Sequence, residues 1–147
     1  MNDKAQMLFQ WREQRLKLKD NYNKEGLQDT FDWFKSLNPS PHGFNYDDNR
    51  TWPDIWQYIS EGYYTRSGNG LALFYTIVHS FPEKEPELWL IHDLLYVDMY
   101  LITVVDGYVL NRMSGEVELL SEVERDLNVL EKHTKTAVME AVKWNNE

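Results

Sequence analysis

The amino-acid sequence predicts a single α+β domain over residues 1–147, with N-terminal helices, a central antiparallel β-meander of about three to four strands and a long C-terminal helix. Two observations support this fold class. Apolar residues recur at helical spacing in the first half of the chain, whereas β-branched and aromatic residues dominate residues 88–113. An order of helices, meander and helix is typical of an α+β protein and not of a parallel βαβ fold.

Two helices are predicted at the start of the chain. Residues 3–22 carry apolar side chains near one helical face. These side chains are Met7, Leu8, Trp11, Leu18 and Tyr22. In residues 27–37 the apolar side chains follow the i, i+4, i+7, i+10 pattern, which predicts the second helix. Prolines and a glycine then make residues 38–50 irregular.

Two further helices are predicted before the sheet. Thr51 can cap the third helix, because Pro53 is tolerated in a first helical turn. The apolar face of this helix would consist of Ile55, Trp56, Ile59 and Tyr63. The fourth helix is expected to begin near Asn69, to bury a wide apolar face and to stop before Pro82.

The meander and the last helix are predicted from apolar runs and the turns between them. Asp106-Gly107 is typical of a type I′ hairpin turn, and Ser114-Gly115 marks a second turn. The predicted strands are residues 88–91, 96–105, 108–113 and 116–120. Ser121 and Glu124 form a capping box, which predicts that the last helix begins there. Its apolar positions are Val123, Leu127, Leu130, Ala137, Val138 and Ala141.

The formal net charge of −9 constrains the partners of this chain. Direct binding to nucleic acid is not expected, because lysines and arginines must neutralise the phosphates. An acidic chain can instead mimic DNA, so an acidic DNA-mimic inhibitor is one alternative function. The acidic residues near the end of the chain are Glu116, Glu118, Glu122, Glu124 and Asp126. Their position also suits the first turn of a helix, where negative charge is stabilising.

Composition indicates where the protein resides. The chain contains no cysteine, and no apolar run approaches the ~20 residues that span a bilayer. Its first residues lack the basic and then apolar layout of a signal peptide. We therefore expect a cytoplasmic protein without disulfides, membrane contact or bound cofactor. Its oligomeric state is open, a homodimer included.

No residue pattern is typical of a metal site or of a hydroxyl nucleophile. The histidines are His42, His79, His92 and His133. None is spaced from another as in a zinc-binding helix, so no metal site is expected. The chain also lacks a Gly-x-Ser-x-Gly elbow. Because no cysteine is present, thiol catalysis by this chain is excluded.

Residues 52–117, which begin with a Trp-Pro pair, resemble the transglutaminase-like cysteine-protease superfamily in the order of their elements and small motifs. Gly68-Asn69-Gly70 stands where that family has Gly-Asp-Cys before a buried helix, so Gly70 replaces the nucleophile. Met99, or Asp98 beside it, stands at the position of the catalytic His. Asn111 stands at the position of the catalytic Asp.

This resemblance implies the fold of the superfamily without its chemistry, because all three catalytic positions are replaced. A pseudoenzyme retained for binding would show this pattern. We therefore expect a non-catalytic protein-interaction domain with a regulatory or inhibitory role and a protein partner. The small size and the acidity of the chain suit an inhibitor, including one of phage origin.

The same glycines allow another interpretation. Residues 65–72 resemble the pyrophosphate-binding turn of acetyl-CoA-dependent N-acetyltransferases, with Gly68 and Gly70 at its two small positions. This resemblance implies a small acyl-CoA-dependent N-acetyltransferase-like enzyme. Thr65 departs from the Gln or Arg of that family, and the preceding residues look helical where the family has strands. A plain helix-entry loop that needs positive φ or close packing is a third interpretation.

Aromatic residues cluster just before these glycines. The cluster consists of Trp52, Trp56, Tyr58, Tyr63 and Tyr64. One helix can bury only one stripe of side chains, so several of these rings are expected at the surface. Trp and Tyr are favoured at binding hot spots. The cluster is therefore the predicted partner-binding surface, together with the exposed side of the first helix.

Overall fold

The structure is a computed structural model that describes residues 4–37, 44–62 and 65–145. Helices precede a five-stranded antiparallel sheet and another helix follows it, which confirms the predicted α+β class. The helices are α1 (Lys4–Asp20), α2 (Lys24–Lys35), α3 (Ile55–Glu61), α4 (Arg66–Ser80), α5 (Leu120–Val123) and α6 (Lys135–Asn145). The strands are β1 (Glu87–Asp93), β2 (Asp98–Val105), β3 (Tyr108–Leu110), β4 (Glu118–Leu119) and β5 (Leu127–His133). Within the described residues, none of the helices has the length and apolar character that crossing a bilayer requires.

The strands form one antiparallel sheet in the order β4-β3-β2-β1-β5. The β2–β3 turn has a φ of 50° at Asp106 and of 81° at Gly107, which confirms the predicted hairpin. Strand β5 pairs with β1 at the opposite edge of the sheet from β4, and its register shifts between Leu90 and Ile91. Strands β1 and β2 are therefore interior, with a hydrogen-bonded neighbour on each side.

Both faces of the sheet are covered. Successive residues of a strand point to opposite faces. Leu101 of β2 accordingly belongs to the larger core, which includes Trp11 of α1 and much of α4. Tyr100 and Ile102 belong to a smaller cluster on the other face, which Val123 of α5 helps to cover. The helices α1 to α4 therefore share one side of the sheet with the larger core.

Helix α4 lies at the centre of the larger core. Its residues 70–77 are all buried. The hydroxyl of Thr103 in β2 donates a hydrogen bond of 2.7 Å to the carbonyl of Gly70. On another side, the indole of Trp11 donates a bond of 2.9 Å to the hydroxyl of Thr76. These two bonds fix α4 between the sheet and α1.

The start of α3 differs from the prediction, because Asp54 and not Thr51 caps the helix. The Asp54 carboxylate accepts a bond of 2.7 Å from the amide of Gln57, whose side chain accepts one of 2.9 Å from the amide of Asp54. Pro53 therefore lies before the helix instead of in its first turn. The hydroxyl of Thr51 is used locally, in bonds to the backbone of residues 45 and 48.

The start of α4 also differs from the prediction near Asn69. The helix begins at Arg66, because the hydroxyl of Thr65 accepts a bond of 3.1 Å from the amide of Gly68 and caps it. Gly68 and Gly70 favour a loop in the sequence, which is why the predicted start is too late. The capping threonine, Thr65, is the sequence signal that indicates the true start. The predicted end of the helix before Pro82 is confirmed, since α4 ends at Ser80.

The predicted last helix is wrong in its first part. Residues 120–126 form one short helix and a 3-10 turn, and strand β5 follows. The apolar residues here fit two periods, since Leu127 with Leu130 suits a helix and Leu127 with Val129 suits a strand. These residues form a strand because they pair with β1. As a result Leu130 is 44% exposed instead of lying on a buried helical face. The C-terminal helix is α6, which starts only at Lys135.

Two strand ends also differ from the prediction. Strand β2 begins at Asp98 and not at residue 96, because residues 94–97 form the turn that joins it to β1. Strand β3 ends at Leu110 and not at residue 113, because Asn111 has a φ of 77°, which breaks the extended backbone. Both differences place a turn next to a residue of the predicted site.

We expect Asp54→Ala to lower the free energy of unfolding by about 1 kcal/mol, because the substitution removes the cap of α3. Urea denaturation measures this difference. Ser60→Ala is the matched control, since Ser60 is exposed in the same helix and should leave stability nearly unchanged. Equal stability of the two variants would contradict the capping role of Asp54.

Candidate functional site

An open cleft of about 450 Å³ lies at the N-terminus of α4. Three parts of the chain form it, namely α2, the start of α4 and the turn after β3. Its lining residues are Phe31, Lys35, Leu37, Thr65, Arg66, Asn69, Asn111, Arg112, Met113 and Gly115. The cleft is thus lined mainly by amides, cations and apolar groups, and it includes one residue of the predicted site, Asn111.

Asn111 holds the two sides of the cleft together. The side chain is 1% exposed, and its amide nitrogen donates to the carbonyls of Leu101 (2.7 Å) and Arg66 (2.8 Å). An ionised Asp has no hydrogen to donate and would place its charge against these two carbonyls. The amide at this position therefore has a structural reason that is independent of any reaction.

Gly70 lies against the same part of β2. A Cβ at this position would lie 2.6 Å from the carbonyl oxygen of Leu101 and 3.0 Å from the side-chain nitrogen of Asn111. Backbone approach this close leaves no room for any side chain. Moreover, Gly70 lies in the second turn of α4, whereas a thiol activated by the helix dipole would lie in the first.

Asp98 and Met99 begin strand β2 and point to opposite faces of the sheet. Met99 alternates with Leu101 and so lies on the face that α4 covers, where it is 39% exposed. Asp98 is exposed on the other face, with its backbone paired to Asp93. Of the predicted positions, Gly70 and Asn111 adjoin each other, Met99 shares their face and Asp98 does not.

The first turn of α4 contains no pair of groups suited to covalent catalysis. It consists of Arg66, Ser67 and Gly68, and the hydroxyl of Thr65 is used as the cap. A hydroxyl nucleophile needs a base within hydrogen-bond reach. None of the described residues that line the cleft is a histidine or a carboxylate. The cleft can therefore accept hydrogen-bonding and anionic groups, but it offers no base.

A buried ion pair beside the cleft was missed from the sequence. Arg112 is 1% exposed and Asp93 is not exposed, and their side chains are joined by bonds of 3.1 and 3.3 Å. Tyr100 donates from its hydroxyl to Asp93 at 2.6 Å, and Glu118 accepts from Arg112 at 3.2 Å. The signal available was a charged residue at the end of one apolar strand, Asp93, and another shortly after a second apolar strand, Arg112. The residues are 19 positions apart in sequence, so spacing could not pair them.

The Asp93 carboxylate is held in its ionised form. Burial opposes ionisation, but bonds from the Tyr100 hydroxyl, the Tyr96 amide and the Arg112 guanidinium hold the pKa of Asp93 below its ordinary value. Burial and the bond to Asp93 raise the pKa of Tyr100 to about 12. Both groups therefore keep one charge state through the neutral range, as a structural network does.

The predicted aromatic surface is largely buried. Trp52 and Tyr58 are each 1% exposed, and the hydroxyl of Tyr58 donates a bond of 2.6 Å to Asn69. A partner could not contact these two rings without unfolding. Trp56 is 50% exposed, and its inner edge packs on Trp11. The remaining two members, Tyr63 and Tyr64, lie outside the described residues.

The predicted phosphate-binding turn is wrong. Gly68 and Gly70 both lie within α4, and the element before them is helix α3 and not a strand. The amide of Gly68 donates to the cap hydroxyl of Thr65, and Gly70 lies in the second turn of the helix, so the two glycines form no open cradle. Close packing of Gly70 on β2 explains a glycine there, which leaves no structural support for the N-acetyltransferase alternative.

No cluster of three His, Cys, Asp or Glu side chains that could hold a metal occurs in residues 4–37, 44–62 and 65–145. His79, His92 and His133 lie on different elements, α4, β1 and β5. His42 lies outside the described residues. His79 packs on Trp11, and burial together with the charge of Arg15 lowers its pKa.

Comparison with solved structures finds proteins of similar fold. LapG of Legionella pneumophila has a TM-score of 0.72 at 13% identity, with 100% of this chain and 91% of that chain covered. Its calcium-bound form has a TM-score of 0.70 at 13% identity, covering 90% and 76%. Its EGTA-treated form has a TM-score of 0.68 at 14% identity, covering 90% and 74%. No protein-family profile and no curated protein sequence matches the chain.

This similarity concerns the fold. The chain therefore has the architecture of LapG over most of its length. Identities of 13% and 14% do not carry residue roles from one chain to the other.

We expect Gly70→Ala to lower the free energy of unfolding by about 2 kcal/mol, because the added Cβ pushes α4 away from β2. Gly107→Ala is the control, since a Cβ there meets nothing within 4 Å and the cost is the left-handed φ alone, about 1 kcal/mol. Urea denaturation compares the two. A smaller loss at Gly70 than at Gly107 would contradict the close approach.

We expect Asp93→Asn to lower the free energy of unfolding at neutral pH by about 3 kcal/mol, because it leaves a buried guanidinium with a weakened partner. Since folding lowers the pKa of Asp93, its stabilisation is present above the unfolded value of about 3.9 and is lost as the pH falls through the folded pKa. The variant cannot titrate there, so its stability should fall less on acidification.

Urea denaturation at about pH 7 and about pH 3 measures this difference. Asp47→Asn removes an exposed carboxylate and serves as the control, with stability close to the native protein at both pH values. Parallel loss of stability on acidification in the native protein and in Asp93→Asn would show that this carboxylate does not contribute to acid unfolding.

Proposed function

We propose that this protein is a non-catalytic protein-interaction domain, built on a degenerate fold of the transglutaminase-like cysteine-protease superfamily, with a regulatory or inhibitory role. One observation carries the proposal. A cleft lies at the start of α4, and its described lining contains no nucleophile paired with a base. The chain has no cysteine at all, so it supplies no thiol.

Residues near the cleft support this proposal because their side chains perform structural tasks. The amide of Asn111 is committed to two backbone carbonyls, and Gly70 gives the space that lets α4 touch β2. Met99 offers a thioether where a base would be needed, and a thioether does not transfer protons at neutral pH. A reaction would require at least two of these positions to change together.

Surface rings and aliphatic side chains suit the binding of a protein partner. Trp56 exposes half of its ring, and its contact with Trp11 holds that ring in one orientation. A rigid, half-buried Trp is typical of an interaction hot spot. On α1, Phe9 is 59% and Leu16 is 51% exposed, and the seven-residue spacing puts both on one side of that helix.

A peptidase assay tests the absence of catalysis. The purified protein is incubated with a pool of quenched fluorescent peptides, and we expect no cleavage above the buffer blank. Asn111→Ala is assayed in parallel, because it alters the cleft without adding a reactive group. Cleavage by the native protein that disappears in this variant would contradict the proposal.

We expect Trp56→Ala to weaken capture of the native partner by at least about tenfold, because the substitution removes an anchoring ring. The melting temperature should change little, since half of this side chain is exposed. Affinity capture from cells of the source organism, followed by titration of the purified partner, measures the effect. Leu119→Ala is the control, because Leu119 is exposed on β4. Equal affinity of both variants would remove Trp56 from the binding surface.

A further inference from the structure

The turn between β1 and β2 exposes an unbroken apolar segment, which we name the hairpin tip. Its members and their exposed fractions are Leu94 (53%), Leu95 (63%), Tyr96 (41%) and Val97 (78%). Met99, just beyond it in β2, is 39% exposed. Single apolar residues at a surface are common, but a contiguous apolar patch marks an interaction site.

The hairpin tip is held in one shape by the interior. The Asp93 carboxylate accepts bonds from the amides of Leu95 (3.1 Å) and Tyr96 (3.3 Å), and the Leu94 amide donates to the carbonyl of Asp126 at 2.8 Å. The buried ion pair between Asp93 and Arg112 fixes that carboxylate in turn. A partner therefore meets a preformed surface, and association does not have to order it.

Val97 gives a second reason to assign a function to the hairpin tip. Its φ is 53°, in the left-handed region that β-branched residues rarely adopt. Asn or Gly would fit this turn with less strain and would expose no apolar group. Strained residues persist where a function requires their side chain, and the most exposed apolar side chain of the tip is this one.

Resting on the proposed interaction function, we propose that the hairpin tip inserts into an apolar groove of a partner protein whose rim carries Lys and Arg. The tip is a turn at the end of the β1–β2 hairpin with four exposed apolar side chains, and a groove can enclose these side chains. Charged residues beside the tip indicate the character of the rim. Asp98 is exposed at its base, and the turn Glu124–Asp126 lies alongside, because the Leu94 amide donates to the carbonyl of Asp126. That turn carries two carboxylates and one cation, Arg125, so the border of the tip is negative overall.

This acidic border argues against two other binding partners of the hairpin tip, an anionic membrane and a second copy of the chain. An anionic membrane would repel the carboxylates of Asp98, Glu124 and Asp126, which outnumber the one cation, Arg125, and it would repel the chain as a whole, whose formal net charge is −9. A second copy joined tip to tip would bring two identical acidic borders together, which like-charge repulsion opposes. A basic rim around an apolar groove satisfies both the shape and the charge.

Photo-crosslinking identifies the occupant. p-Benzoylphenylalanine is placed at Val97, and separately at Leu119 as the control, in the full chain expressed in cells of the source organism. We expect one protein to crosslink from position 97 and not from position 119. Crosslinks to a second copy of the chain, or co-sedimentation of the native protein with phosphatidylcholine vesicles, would overturn the proposal.

Variants then test the contact with the captured protein after its purification. We expect Leu95→Asp to weaken binding by about tenfold or more, and binding of the native protein to weaken as salt rises. Val97→Asn should weaken binding while its melting temperature stays equal or rises, because Asn tolerates the left-handed φ. A lower affinity together with an equal or higher melting temperature shows that the variant has lost a contact and not its fold. Unchanged affinity in both variants would overturn the proposal.

The two proposals fail in different ways. If Trp56→Ala weakens capture and the tip variants do not, the interaction function stands and the hairpin tip is not the surface that carries it. If the peptidase assay shows cleavage that requires Asn111, the non-catalytic function fails whether or not the tip variants weaken binding.

Discussion

The close approach of α4 to β2 is the constraint on which the rest of the structure depends. At Gly70 the two backbones come so near that one added carbon would lie 2.6 Å from the Leu101 oxygen. Thr103 donates to the carbonyl of Gly70, and Asn111 donates both to Leu101 of β2 and to Arg66 of α4, so the helix cannot slide along the strand. The cleft takes its shape from this contact, because the carbonyl of Arg66 at the start of α4 accepts a bond from Asn111, which directly follows β3.

The ion pair between Asp93 and Arg112 holds two turns in place, as the contact at Gly70 holds α4 against β2. Asp93 ends β1 and Arg112 lies after β3, so the pair joins the β1–β2 turn to the turn after β3. A buried pair of this kind adds little net stability relative to apolar groups. It does restrict the backbone, since Asp93 also accepts the amides of Leu95 and Tyr96. The ion pair therefore contributes chiefly by holding the hairpin tip in one conformation.

Prediction from the sequence succeeded where a signal was local. The Asp106-Gly107 turn and the end of α4 before Pro82 follow from backbone preferences of a few residues. It failed where distant pairing decides, as in β5, whose residues suit a helix until β1 is placed beside them. In the candidate site, too, a local motif was predictable and distant bonds were not. Asn111 was singled out from a motif, but its bonds to Arg66 and Leu101 span 45 and 10 positions and could not be foreseen.

The position of β5 also bears on the order in which the molecule assembles. Strands β1 to β4 are neighbours in sequence and can form by successive hairpins, but β5 must return across the sheet to reach β1. Contacts of long sequence separation require more loop closure and form more slowly. Until that strand arrives, β1 has an unpaired edge, which is open to pairing with other chains. The last part of the chain therefore protects the nascent sheet from aggregation, a task separate from any partner that the finished protein binds.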